Sequence, residues 1–522
     1  MFENNFAHTN VLAPVSTKKF LYLLLAIALP SAILSFVSPI AAIGFFLLGI
    51  FILLAIEKPV LLIYGLTFYM PFEAFTLKFT NDSLFPFLKY GIEIGIFILF
   101  VVTVGKYLYK PHPNPLLLKE RGLSGQSTFI KTPIDKPLIA FIIITAISAL
   151  LNLTNPLYWI LGLRQIFRFT LLYYTIIYLQ ISLKQIKNII IILLILLAIQ
   201  STIGMGQAMI GKSADKFLIP DKVREIGEMT TSDFVEQSWA SGQRVFATMG
   251  RYDRLGTFLC FAILISLGLF ITTKKNIYLL LILISVPSLI LTYSRMSWLG
   301  VVIGLCLIGI IHKKDKIIIG WTALVISLFL IYIIFYLANN NIVIHRMTEK
   351  SSMEATERFL LLFSSTEFDG SYKGYGRLYF IINTPLKIVK NYPFFGVGLG
   401  RYGSGVAASL GNRGVYNEFR IPYGVQNYLG SIDNNWFSLW GESGTLGLIA
   451  FMSIIISLFI FTYRFYKVVT NTFSKGITLG FLGAIIAVSF QGFLGQHFEV
   501  RPLSFYFWLI AGMIVNLRTF AN

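Results

Sequence analysis

Asn-Ile-Ile-Ile-Ile-Leu-Leu-Ile-Leu-Leu-Ala-Ile-Gln-Ser-Thr-Ile-Gly-Met-Gly-Gln-Ala-Met-Ile-Gly, residues 188–211, runs from end to end without a charged side chain. A helix of this length rises far enough to cross the hydrocarbon core of a bilayer, and so apolar a segment reads as a membrane span. Comparable windows recur near 20–37, 40–56, 59–77, 86–105, 137–153, 164–181, 254–272, 277–293, 297–311, 317–338, 436–463, 476–493 and 503–520. The fold class expected is all-α, a polytopic transmembrane bundle of about 12 to 14 helices. The composition agrees, with 56% hydrophobic and only 13% charged residues, which excludes an ordinary soluble domain.

Polarity divides the rest of the chain. Lys18, Lys19, Lys58, Lys184, Lys187, Lys274, Lys275, Lys313, Lys314, Lys316, Arg464, Lys467 and Lys475 all fall on one side of such a bundle, as does the connector from Lys106 to Lys136, whose Pro111, Pro113 and Pro115 mark a flexible linker. By the positive-inside rule that side is cytoplasmic, and both termini are expected there. The domain plan expected is N-terminal spans over 1–109, a cytoplasmic linker over 110–136, and central spans over 137–338 with an external loop at 212–253. A large external loop over 339–435 and C-terminal spans over 436–522 complete it. The net charge of +19 is accounted for in good part by this bias, so a nucleic-acid partner is not expected. Cys260 and Cys306 both lie inside apolar windows and suggest neither a disulfide nor a thiolate metal site.

Within the large loop, Leu378, Ile381, Ile382, Pro385, Leu386 and Val389 share one helical face and Lys387 and Lys390 lie off it, which predicts an amphipathic helix at the membrane surface. Arg377 begins it. Arg164, Arg168, Arg244, Arg251, Arg254, Arg295, Arg377, Arg401 and Arg501 are all assigned to the external side, against the positive-inside trend. Two readings account for them: snorkelling contact with lipid head groups, or an external anionic ligand suited to the planar guanidinium fork. Arg295, in Leu-Thr-Tyr-Ser-Arg-Met-Ser-Trp, interrupts nearly continuous membrane sequence and is costly unless compensated.

Gly396 to Gly403 contains a G-x-G-x-x-G spacing, but no strand pattern precedes it, so a dinucleotide site is rejected in favour of a tight turn. Asp433, ahead of the span near 436, reads either as a helix N-cap or as a carboxylate able to take a proton from an acceptor hydroxyl. Glu442 lies two turns deeper and calls for a partner that the sequence does not name. Gly441, Gly444 and Gly447 suggest close helix packing. His345 and His497 lack ligand spacing, and no metal or other cofactor is expected.

Thr-Tyr-Ser-Arg at 292–295, Gly-Arg before the external helix, Tyr-Pro-Phe-Phe-Gly-Val-Gly-Leu-Gly at 392–400 and Asp-Asn ahead of Glu-Ser-Gly-Thr-Leu-Gly at 442–447 together resemble the O-antigen ligase and polymerase superfamily. The resemblance covers roughly 244–463. It implies a glycosyltransferase of the GT-C class in the cytoplasmic (inner) membrane, acting in cell-envelope polysaccharide or lipopolysaccharide biosynthesis. Such an enzyme needs no metal and takes glycan from a polyprenyl diphosphate, undecaprenyl diphosphate, on the outer face. The acceptor implied is a glycan, a lipid or a protein. By position, Arg295 and Arg377 match the arginines taken to bind the diphosphate, and Asp433 stands where ligases carry a histidine taken as the general base, a departure that looks more like the polymerase branch. Arg164, Arg168, Arg244, Arg254, Glu442 and His497 are further candidates around that site. The alternative is a transporter or flippase for the same lipid-linked oligosaccharide, although no internal repeat of the kind many transporters carry is evident.

Overall fold

The computed structural model describes most of residues 25–35, and 39–81, 84–109, 129–218, 224–226, 229–231, 244–312 and 372–519. The expected span at 317–338, most of the linker at 110–136, the lysines at 18, 19, 313, 314 and 316, His345, and the first part of the 339–435 loop lie outside the described residues.

The chain forms an all-α polytopic bundle. Its helices are α1 (Pro39–Glu57), α2 (Pro59–Tyr69, continuing through short turns to Lys78), α3 (Phe85–Tyr109), α4 (Asp135–Leu151), α5 (Pro156–Ile166), α6 (Thr170–Leu179) and α7 (Leu183–Ile210). After the 212–251 segment come α8 (Tyr252–Thr273), α9 (Asn276–Leu291), α10 (Arg295–His312), α11 (Arg377–Asn383), α12 (Asn435–Val468), α13 (Thr472–Gln491) and α14 (Arg501–Thr519). The described part of the 212–253 loop includes a three-residue hairpin pairing Arg224–Ile226 with Met229–Thr231.

Among the described residues, seven helices have the length and apolarity to cross a membrane, or eight if α5 and α6 count as one, against the fourteen windows read from the sequence. Of these windows, 317–338 and much of 20–37 lie outside the described residues, and three others differ in geometry. The 137–153 and 277–293 windows become helices of 17 and 16 residues, about 25 Å long at 1.5 Å per residue and so short of a ~30 Å hydrocarbon core. The 164–181 window is two helices meeting at 57°, the first starting at Pro156 with Asn155 as its cap.

α8 is the axis of the bundle, with most of its length buried. It crosses α13 where Gly268 meets Gly476 and Gly480 backbone to backbone; a Cβ on Gly268 would come within 2.3 Å of the Gly476 carbonyl oxygen. Small residues at such a crossing allow the main chains the approach that van der Waals packing in a membrane requires.

A second, smaller core builds a cap on one end of the bundle from Phe380, Ile388, Val397, Tyr402, Val415, Tyr416 and Ile432. Here the predicted amphipathic face is rotated. Phe380, Thr384, Ile388 and Val389 are buried, whereas Ile382 and Leu386 are exposed. Only seven residues of the segment are α-helical, and from Thr384 to Val389 it widens into a π turn. Pro385 has no N–H for the α ladder, and the widening shifts the register of every side chain beyond it.

α12 is broken at Gly444, whose φ of +68° and ψ of −174° lie outside helical values. The cap fills the break. Thr445 and Leu446 donate their freed N–H groups to the Pro393 and Phe394 carbonyls (2.9 and 3.2 Å), while Val397 and Gly398 donate to the carbonyls of Gly441 and Glu442 (3.0 and 2.9 Å). Gly396 and Gly444 are the two positions where this docking demands glycine, for each has positive φ and a Cβ on either would meet the other's backbone nitrogen within 2.5 Å. Gly441 and Gly444 therefore receive the 393–403 loop, with the Tyr402 ring lying against Gly441, whereas Gly447 faces Ser443 of its own helix and Ile144 of α4.

Candidate functional site

The cap sets Arg377 opposite Asp433. Gly376 enters the helix extended, Tyr375 before it is left-handed (φ +54°), and the Tyr375 carbonyl accepts from the Gln426 amide at 3.1 Å, which fixes where α11 begins. Arg377 Nη2 donates to Asp433 Oδ2 at 3.1 Å, with the side chains 38% and 32% exposed. Desolvation works against the Arg377 charge, but the Asp433 carboxylate, Tyr252 and Asp253 outweigh it, and its pKa is raised.

Asp433 is not the cap of α12. Asn434 holds that place: its Oδ1 accepts from the Phe437 amide at 3.0 Å and its Nδ2 donates to the Phe493 carbonyl at 2.6 Å. Asp433 itself is left-handed (φ +48°), a conformation Asp and Asn tolerate better than most residues. The local sequence Asp-Asn thus divides the work, one residue capping and the other facing the arginine.

The segment before α8 brings further charge to the same place. Two glutamines on α7 hold it from below: Gln207 Oε1 accepts from the amides of Phe246 and Ala247 (both 2.9 Å), and Gln200 Nε2 donates to Thr248 Oγ1 at 2.7 Å. The Val245 amide donates to the Leu291 carbonyl at 3.1 Å, tying the segment to the turn that precedes Arg295. Arg244 lies with its guanidinium 4.2 Å above the Tyr252 ring, and burial first, then the neighbouring Arg295 charge, lower its pKa against the pull of Tyr252 and Asp253. Arg251 grips Asp253 with two hydrogen bonds of 3.1 and 3.2 Å. His497 is buried beside them. Burial pushes it down to about 4, Asp253 and Asp433 opposing and Arg377 and Arg251 assisting, so it stands neutral at physiological pH. Its Nδ1 has no hydrogen-bond partner.

The structure therefore joins Arg377, Asp433, Arg244, Arg295 and His497 in one charged neighbourhood. Arg164 and Arg168 lie in a different one. Arg164 pairs with Glu93 at 2.5 Å and Arg168 with the same carboxylate at 3.3 Å, while Arg501 spans Glu73 (2.5 Å) and Glu93 (2.7 Å). Their charges are answered inside the bundle by two acidic residues of α2 and α3. Arg254 stands between the neighbourhoods, its charge acting on both Glu73 and Asp253. Arg401 donates to the Asn152 and Val397 carbonyls.

Glu442 has a structural partner: its Oε1 accepts from Ser404 Oγ at 2.7 Å and the Tyr402 amide at 3.1 Å, clamping the glycine loop. Glu442 and Glu499 line one small cavity with Asn435 and Ser438. Burial raises Glu499 to about 7, with Gln165 hydrogen-bonding it and Arg168 nearby, both opposing. This cavity is separate from the Arg377–Asp433 pair. Among the described residues no three His, Cys, Asp or Glu side chains converge as a metal ion would need.

Glu73, Glu93, Asp253, Gln200 and Gln207 were not singled out from the sequence. Each is a polar or acidic side chain in or at the mouth of an apolar window, which is itself the signal.

Residues 277–452 match the O-antigen ligase family. This stretch, about a third of the chain, contains Arg295, Arg377, Asp433 and Glu442, and supports placing the protein in the O-antigen ligase and polymerase superfamily as a multi-pass membrane protein with ligase- or glycosyltransferase-type activity. Arg244, Asp253 and His497 come from outside the O-antigen ligase segment and reach the site only through the fold. No curated protein matches the chain.

Proposed function

We propose that this protein is a glycosyltransferase of the cytoplasmic membrane that transfers glycan from a polyprenyl diphosphate to an acceptor hydroxyl on the outer face. The observation that carries the reading is the Arg377–Asp433 pair, set at 3.1 Å within the O-antigen ligase segment, with Arg377 sharing Tyr252 and Asp253 as neighbours with Arg244. The domain plan and the cytoplasmic termini follow from the same reading.

The chemistry needs a cationic place for the leaving group and a base for the acceptor. Arg377 and Arg295 bind the diphosphate and stabilise the charge it gains as the glycosidic C–O bond breaks. Asp433 accepts the proton of the acceptor hydroxyl while its oxygen bonds to the anomeric carbon from the opposite face, so that carbon inverts and polyprenyl diphosphate departs. The sugar diphosphate supplies the driving force, and the guanidinium groups take the role a metal ion would otherwise fill.

The experiment is to supply purified protein in detergent with lipid-diphosphate oligosaccharide from its own cell's membranes and to measure product length, with Arg377→Ala as control. A ladder of lengths that disappears in the variant marks a polymerase, and a single transfer to an added acceptor marks a ligase. No turnover with any acceptor would overturn the reading in favour of a lipid-linked oligosaccharide transporter.

A further inference from the structure

Arg377 holds Asp433 through one prong of its fork. Nη2 makes the bond, while Nε is buried without any hydrogen-bond partner. A guanidinium is strongest when two parallel N–H groups engage one anion, so this is a weaker, single-pronged contact on partly exposed side chains. A phosphate group offers the two oxygens that the idle prong lacks. It would also bring negative charge against the Asp433 carboxylate, and two anions on one guanidinium repel.

We propose that the Arg377–Asp433 pair is a latch that the donor opens: the diphosphate takes Arg377 from Asp433, and only then is the carboxylate free to receive the acceptor's proton. The inference rests on the diphosphate and base roles proposed above. It adds an order of events, donor before acceptor, and a competition that those roles alone do not require. The backbone suits such an exchange, because Asn434 does the capping and Asp433 can leave Arg377 without unwinding α12.

The competition gives the latch an unusual signature. Replacing the base should tighten the donor even as turnover disappears. Binding of undecaprenyl diphosphate in detergent would be measured for the wild type, Asp433→Asn, Asp433→Glu and Arg377→Ala. Asn tolerates the left-handed backbone at 433, so that variant is expected to fold, and Asp433→Glu retains the competing charge as a check on steric effects. The latch predicts binding about five-fold tighter in Asp433→Asn, the shift corresponding to an exposed ion pair of ~1 kcal/mol, near wild type in Asp433→Glu, and strongly weakened in Arg377→Ala. Equal or weaker binding in Asp433→Asn, with Arg377→Ala still weakened, would overturn the latch and leave the diphosphate site standing. Unchanged binding in Arg377→Ala would overturn both.

Discussion

At the scale of single residues, Asp433 and Asn434 show how little separates a cap from a candidate base. Both side chains are short acceptors suited to the start of a helix, and only the fold says that Asn434 turns inward to the Phe437 amide while Asp433 turns to Arg377. The two are therefore separable by mutation. Asp433→Asn is expected to lower turnover about 10²- to 10⁴-fold, the usual contribution of a general base, with little change in thermal stability. Asn434→Ala should instead cost about 1 kcal/mol of stability, seen in a melting curve, since the Phe437 amide loses its acceptor. Arg377→Ala and Arg295→Ala should each reduce transfer on the order of 10²-fold while the protein still inserts; normal glycan from either variant would contradict the roles assigned to them. Asp433 stood out in the sequence as either a helix cap or a base, and only the fold shows that Asn434 does the capping.

Among the elements, the break in α12 is the feature on which the cap depends. Its two glycines, the Glu442 clamp and the 393–398 loop act as one unit, and unpaired main-chain groups near a bilayer must be satisfied by protein. Gly396→Ala should lower stability by more than the ~1 kcal/mol of an ordinary glycine replacement, because the new methyl meets the Gly444 nitrogen and the Glu442 carbonyl oxygen at 2.4 and 2.5 Å. Loss of folded protein on size-exclusion chromatography would show it. The connector between α13 and α14 carries a pH-dependent element. Glu499 stands at about 7 against an ordinary value of 4.5, so the folded protein holds a proton there that the unfolded chain releases sooner. Its contribution to stability is complete below about 4.5 and is lost as pH rises through 7. Glu499→Gln, which is neutral throughout, should match the wild type below about pH 4.5 and melt about 2–4 °C higher near pH 8, a difference that develops between about 4.5 and 7 and then levels off.

For the whole molecule, the Glu73–Arg501–Glu93 network ties the N-terminal helices α2 and α3 to α14, more than 400 residues away along the chain. Buried charges are costly once their partners are removed, so Arg501→Ala should destabilise the bundle by about 3–5 kcal/mol, measured by thermal unfolding in detergent. Transport of the same lipid-linked sugar would not require an Arg377–Asp433 pair at the mouth, which keeps the rival reading open to the turnover assay. The orientation inferred from basic connectors is testable by labelling. Tyr428→Cys, 62% exposed in the cap, should react with an impermeant thiol reagent from outside, and Tyr109→Cys, 91% exposed at the end of α3, only from inside. The reverse pattern would invert the topology.

The sequence by itself determined that this is a helical membrane protein and located the segment carrying Arg295, Arg377 and Asp433, because apolar length and the placement of basic residues are properties of the chain read locally. The tertiary structure decided which charges belong together. Arg164, Arg168 and Arg377 look alike in one dimension, yet the first two are answered by Glu93 and the third faces Asp433. The buried face of the cap helix was also decided there. The broken helix at Gly444 depends on distant groups, the Pro393 and Phe394 carbonyls that accept its freed N–H groups.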